Sequence, residues 1–300
     1  MTLEQAYDTF MISRRARNLS KSTMNFYRNA IERFIKWCEK EKIINIEDVK
    51  LRDVELFIAS LQGTMRAISI KDMYVSLRVF FAYLYEEEHL NRNPMKNMKA
   101  PRVDKKIMRT FNKEEIGKIL RFFDQSTFFG LRNHLIMCIL FSTGMRKGEL
   151  LNLKMHDINV TLDMIKVIGK GSKERLVPIG RTLRRVMLVY IELRREYLRD
   201  TLCEYFIVSQ KKRQLTASGI NTIFKQMKDG LGWKGERISA HTLRHTFCKT
   251  FLLNNGDLFS LQRIVGHSDL RMTRKYVELN DREIKIQYAK ANPLDNNDWM

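Results

Sequence analysis

The stretch MIKVIGKGSKERLVPI, residues 164–179, sets the fold class. Two short runs rich in Ile, Val and Leu, 164–168 and 175–179, flank Gly169-Lys170-Gly171-Ser172-Lys173-Glu174, a turn dense in glycine and charge. Apolar runs of that length around such a turn form a β-hairpin. Outward from it the pattern becomes helical. Upstream, Asn112 with Glu115 three residues on is a capping-box start for a helix to about Phe123. An apolar helix is expected over about 131–141, stopped by Gly144, and a short helix over 149–153. Downstream, 183–198 is helical and basic on one face, 205–208 is a candidate third strand, and helices resume from Ser218, punctuated at Gly230, Gly235, Gly256 and Gly266. The chain therefore reads as mainly α with a small β-sheet, an α+β protein.

Before this part, apolar residues recur at helical spacing over 3–12, 26–37, 54–61 and 73–84. Ser20 and Ser22 are candidate caps for the second of these, Asp48 and Asp53 for the third. Residues 1–90 are expected to form one small helical domain. Residues 91–109, NRNPMKNMKAPRVDKKIMR, hold two of the four prolines, seven basic residues and one acid, and read as a basic linker. Residues 110–300 form the second domain.

Charge narrows the partners. The 300 residues carry 54 Lys and Arg against 34 Asp and Glu, a net charge of +20. With 44% hydrophobic residues the excess belongs to a folded protein, not a polybasic tail. Residues 1–100 hold 17 basic and 13 acidic side chains, whereas 101–300 hold 37 and 21, so the field lies mostly in the second domain and its approach. A field of that size favours a polyanion. No apolar run approaches the roughly 18 residues of a membrane helix, and the start MTLEQAYDTF has no apolar signal core, so a cytoplasmic protein that binds no membrane is expected. Cys38, Cys138, Cys203 and Cys248 lie far apart and read as reduced packing residues.

Four segments place scarce functional groups beside structural punctuation. STGMRKGEL holds Arg146 just past a helix stop. The hairpin turn holds Lys170. HTLRHTF puts His241 and Arg244 three apart, on one helical face. GHSDLRMTRKY holds His267 and, nine residues on, Tyr276. Singly, an arginine after a helix or a lysine in a turn is ordinarily surface charge, and His245, His89, His134 and His156 read as packing residues. Together, the six form a cationic cluster around a hydroxyl nucleophile, suited to a phosphodiester. Tyrosine, with a pKa near 10, needs a base or cationic surroundings to attack phosphorus at neutral pH. Two guanidiniums can clamp the non-bridging oxygens. A lysine can protonate a leaving 5′ oxygen and histidines can shuttle protons. A two-metal nuclease needs clustered carboxylates, and these motifs supply almost none.

The set R…K…H-x-x-R…G-H-S…Y resembles the tyrosine recombinase (phage integrase) family, of the Xer or mobile-element type, most clearly in TGMRKGEL, GKGSKERLVPI and HTLRHTF. The resemblance implies an N-terminal helical core-binding (SAM-like) domain and a tyrosine recombinase catalytic domain closing as a C-shaped clamp on DNA. It implies Arg146 and Arg244 as the phosphate clamp, Lys170 as leaving-group acid, His241 and His267 as proton-handling groups, and Tyr276 as the nucleophile forming a 3′-phosphotyrosine bond. Motif position favours Lys170 over Lys173, three residues on. Tyr288 lies outside the motif spacing and reads as a packing residue. No metal, ATP or other cofactor is implied. The implied partners are double-stranded DNA recombination sites and either a homo-oligomer, four protomers on two sites, or a related recombinase protomer. The segment 281–300, with Ile284, Ile286 and Tyr288, is expected to dock on a neighbour. Arg184, Arg185, Arg194 and Arg195 are expected to contact the DNA backbone. The charged segment before Tyr276 leans toward a mobile element. Housekeeping chromosome dimer resolution, a type IB topoisomerase and a non-catalytic DNA-binding regulator are the alternatives.

Overall fold

Thr2 and Ser20 start the first two helices. In the computed structural model, which describes residues 1–103, 109–169, 173–233, 235 and 238–266, Thr2 Oγ1 accepts from Gln5 N at 3.2 Å while the Gln5 side chain accepts from Thr2 N at 2.9 Å, opening α1 (Leu3–Ala16). Ser20 accepts from Thr23 N and opens α2 (Lys21–Lys40). Asp53 accepts from Lys50 N at 2.8 Å at the start of α3 (Leu51–Ser60). The fourth helix is α4 (Ala67–Glu86). These belong to the first of two compact units, Met1–Lys106 and Ile107–Met300.

An aromatic core holds the first unit. Phe34 meets Phe57 edge-on at 5.2 Å between ring centroids, and Phe10 meets Phe80 at 5.4 Å. Each such pair contributes about 0.5–1.5 kcal/mol beyond area burial. The buried Arg14 guanidinium lies over the rings of Phe10 and Tyr83, which offsets part of its desolvation. The basic stretch from Asn91 is not solvated throughout. Leu90 and Met95 are buried in this core, and Tyr74 Oη donates to Met98 O at 2.7 Å.

The second unit is built around one helix. It contains α5 (Lys113–Arg121), α6 (Phe128–Thr143), α7 (Lys147–Asn152), the strands β1 (Ile158–Asn159), β2 (Met164–Ile168) and β3 (Glu174–Pro178), then α8 (Arg181–Leu198), α9 (Ala217–Gly230), α10 (Ala240–Leu253) and α11 (Leu258–Val265). The α6 sequence is rich in apolar residues and has no continuous polar face, and such a helix is buried. It packs mainly against α8 and α10, and every residue from Leu131 to Leu140 is buried. Its polar residues are satisfied inside: Arg132 donates to Asn133 Oδ1 and Val208 O, and His134 Nδ1 pairs with Leu120 O at 2.8 Å.

The strands form an antiparallel sheet in the order β1-β2-β3, with Ile165 opposite Val177 and Val167 opposite Arg175. Ile165, Val167 and Val177 face the core. Side chains alternate across a strand, so Arg175 shares that inward face with Val177.

Two expectations change. The third strand is Ile158–Asn159, not 205–208. That segment makes only the isolated bridges Lys154 to Tyr205 and Val208 to Gln214, because Phe206 N is taken by Leu153 O and its apolar side chains fill the core. Arg194 is not available to DNA. It is buried and donates to the carbonyls of Cys203, Tyr205 and Phe206, holding that segment in place. Arg184 is partly exposed and paired with Asp163, and Arg195 pairs with Glu192.

Cys38, Cys138 and Cys248 are buried and Cys203 is half-buried. Burial pushes the Cys38 thiol up to about 12 and that of Cys138 to about 11, so neither is a thiolate at neutral pH. Among the described residues no helix is long and apolar enough to cross a membrane.

Candidate active site

Gly144 ends α6 in the left-handed conformation, φ +59°, and the chain turns through buried Met145 to Arg146, the N-cap of α7. Arg146 N donates to Glu149 Oε2 at 2.7 Å and its Nη1 to Glu149 Oε1 at 2.9 Å. The carboxylate at the third helical position thus answers an open backbone donor and fixes the arginine side chain. That side chain keeps 46% of its surface exposed, so its outer edge faces solvent.

Arg244 approaches from α10 and is 3% exposed. It donates to Gly144 O and, through Nη2, to Val265 O at 2.9 Å. Arg146 Nη1 donates to the same Val265 carbonyl and its Nη2 to Gly266 O, both at 3.4 Å. The last carbonyls of a helix lack internal partners and carry its negative end, which attracts guanidiniums. Two arginines from distant parts of the chain therefore meet at the C-terminus of α11. Gly266, at φ +65°, caps that helix immediately before His267.

His241 is exposed at the second position of α10, its ring centroid 4.0 Å from that of buried His245 in an edge-on arrangement. Of the six candidates, Arg146, His241 and Arg244 are described, and the structure joins Arg146 and Arg244 at one carbonyl. Lys170, His267 and Tyr276 lie outside the described residues, as do Tyr288 and the segment 281–300. Gly169 N donates to Lys173 O at 2.8 Å across the base of the hairpin turn, and Lys173 is exposed. His134 is buried, with burial lowering its pKa against the opposing hydrogen bond to Leu120, while His156 is exposed.

Two polar residues at this site do not stand out in the sequence. Glu149, 8% exposed, accepts from Arg175 Nη1 at 3.0 Å and Nη2 at 2.8 Å as well as from Arg146. Arg175 Nε donates to Ile264 O at 2.7 Å. Both carry a faint signal: Arg175 is in phase with the inward Val177, and Glu149 stands three residues after Arg146 at the head of a helix. Among the described residues no group of three or more His, Cys, Asp or Glu side chains could hold a metal ion.

Burial opposes the charge on Glu149, but hydrogen bonds from Arg175 and Arg146 and the Arg175 charge outweigh it and hold its pKa below the ordinary value. A folded pKa below the unfolded one contributes stability above about pH 4.3, lost as pH falls through the folded value. Glu149→Gln is therefore expected to melt lower than the native chain at pH 7 and to lose less on acidification. Melting temperatures between neutral and acidic pH check this; parallel curves would contradict it.

Anionic oxygen is what such an arrangement can hold: planar, charge-assisted donors fixed by a buried carboxylate and a helix end before any ligand arrives. Residues 109–283 match the phage integrase family and residues 7–88 the phage integrase N-terminal SAM-like domain. The chain belongs to the phage integrase family and is an enzyme of its tyrosine recombinase class. It is 34% identical over 286 residues to tyrosine recombinase XerC of Bacillus pumilus, covering 92% of each chain. It is 31% identical to XerD of Listeria monocytogenes, covering 92% of this chain and 94% of that one. Its fold resembles XerH site-specific recombinase bound to a palindromic difH substrate, with TM-score 0.76 and 22% identity over 92% of this chain and 82% of that one. It also resembles the Tn1549 transposon integrase in complex with transposon right-end DNA, with TM-score 0.76 and 20% identity over 97% of this chain and 100% of that one.

Proposed function

We propose that this protein is a site-specific recombinase that cuts and rejoins double-stranded DNA through a 3′-phosphotyrosine intermediate on Tyr276. The observation that carries the proposal is the convergence of Arg146 and Arg244 on Val265 O, two residues before His267. Guanidiniums anchored there are set to neutralise the charge that grows on a five-coordinate phosphorus. The Tyr276 oxygen attacks phosphorus and the 5′ oxygen leaves with a proton from Lys170. His241 and His267 handle protons and hydrogen bonds to the phosphate. A 5′ hydroxyl from the partner strand then attacks the phosphotyrosine and releases Tyr276. The covalent bond conserves the energy of the cut, so neither ATP nor metal is required. The assembly is four protomers on two DNA sites, in the cytoplasm.

The charged segment DLRMTRK between His267 and Tyr276 favours service to a mobile element. Similarity to XerC and XerD favours a second reading, chromosome dimer resolution. Neighbouring genes separate the two: integration or transposition functions support the first.

The chemistry has a direct test. In EDTA and without nucleotide, the native chain is expected to form a denaturant-resistant adduct with a nicked suicide duplex carrying its site, whereas Tyr276→Phe forms none. A Phe variant that still forms the adduct would remove Tyr276 as nucleophile, and a native chain that forms none would defeat the proposal.

A further inference from the structure

The geometry points to Arg175 as a positioning residue of the cleavage site, one guanidinium that locks the clamp arginine Arg146 and the end of α11 into a single unit. This role rests on the recombinase reading above. Three elements separated in sequence meet at this side chain. From β3, Arg175 forms a two-pronged pair with Glu149 on α7, and Glu149 uses the same two oxygens to hold the backbone and side chain of Arg146. The remaining Nε of Arg175 is spent on Ile264 O in the last turn of α11. With Arg146 on Val265 and Gly266 and Arg244 on Val265, three consecutive carbonyls are gripped by three arginines, and the chain continues directly into His267.

Contact reinforces the hydrogen bonds. A Cβ at Gly266 would lie 3.0 Å from both Cδ and Nη1 of Arg175, so the helix cap is seated against the arginine stem. Both partners are shielded from water, with side-chain exposures of 12% for Arg175 and 6% for Glu149, so the pair is screened little by salt. Arg175 touches no reacting atom in this scheme. Its effect passes through Glu149 to Arg146 and through Ile264 to the segment that carries His267. Lysine cannot substitute, because a point charge cannot supply two parallel donors to Glu149 and a third to Ile264.

The test uses the full chain. Arg175→Lys and Arg175→Ala are compared with the native protein for melting temperature, site affinity by mobility shift, and single-turnover cleavage of the suicide duplex at saturating protein. Arg175→Lys is expected to keep its affinity within about threefold while cleavage falls about 10–100-fold, the usual cost of losing a partner that orients a functional group. A second substrate carries a methylphosphonate at the scissile position, which removes the charge the clamp answers. On it the Arg175→Lys deficit should shrink in step with that of Arg146→Ala, a change that damage to the fold alone does not produce. Cleavage by Arg175→Lys at the native rate, an equal deficit on both substrates, or a loss of affinity matching the loss of cleavage would each overturn the role. A native chain that forms no adduct overturns the recombinase reading and this role with it.

Discussion

Arg244→Ala is expected to lower covalent adduct formation by about 10²–10³-fold and to destabilise the second unit at the same time. The chemical loss follows from removing a charge-assisted donor where, in the proposed reaction, phosphate charge develops. The structural loss follows from position: Arg244 is 3% exposed and donates to Gly144 O at the end of α6 and to Val265 O at the end of α11. Hydrogen bonds to a charged group are worth about 1.5–3 kcal/mol each, and alanine leaves two buried carbonyls without this donor. At the lower end of that range the two bonds total about 3 kcal/mol, which corresponds to a melting shift of about 6–12 °C for a unit of this size. Cleavage at saturating DNA and a thermal melt separate the two effects. Arg244→Lys restores part of the charge but not the fork, so it should recover stability more than rate. An alanine variant with near-native cleavage would remove Arg244 from the clamp.

Gly144→Ala is expected to be almost as damaging, although it removes no functional group. The residue sits at φ +59°, where an L side chain costs about 1–2 kcal/mol. The added Cβ would stand 2.4 Å from Phe247 Cδ1 and 3.2 Å from Val265 Cγ1. Overpacking of that kind costs a further 1–3 kcal/mol or so. Because the Gly144 carbonyl holds Arg244, relief of the clash moves the clamp, and cleavage falls together with the melting temperature. Gly148→Ala is the internal control. It lies in α7 with nothing within 4 Å of the new Cβ, and alanine is the better helix former, so neither property should fall. Equal behaviour of the two variants would contradict the packing account.

Much of this site is legible in the amino-acid sequence. Gly144 marks its own helix stop, the hairpin is written in its turn residues, and HTLRHTF places His241 and Arg244 on one face by spacing alone. What stays hidden is long-range. Glu149 and Arg175 are 26 residues apart and become partners only in the folded chain. Even so, the alternation of the hairpin puts Arg175 on the inward face, and an inward charge requires a partner. Arg194 misleads for a similar reason. It falls on the buried stripe of Leu183, Met187, Tyr190 and Leu198 at spacings of three and four, and phase outweighs charge there. The short strand at Ile158–Asn159 has too few residues to show alternation. The run at 205–208 has strand composition but gives its hydrogen bonds elsewhere.

In the proposed reaction the two arginines, the hairpin lysine and the two histidines serve one step, bringing the Tyr276 oxygen onto phosphorus. Mapping the covalent linkage tests that most directly. The adduct from a suicide duplex is digested with protease and nuclease, and the modified peptide is sequenced by mass spectrometry. The nucleotide is expected on Tyr276, joined through the 3′ phosphate, with a free 5′ hydroxyl on the released strand. A nucleotide on Tyr288 or any other residue, or a linkage through a 5′ phosphate, would contradict it.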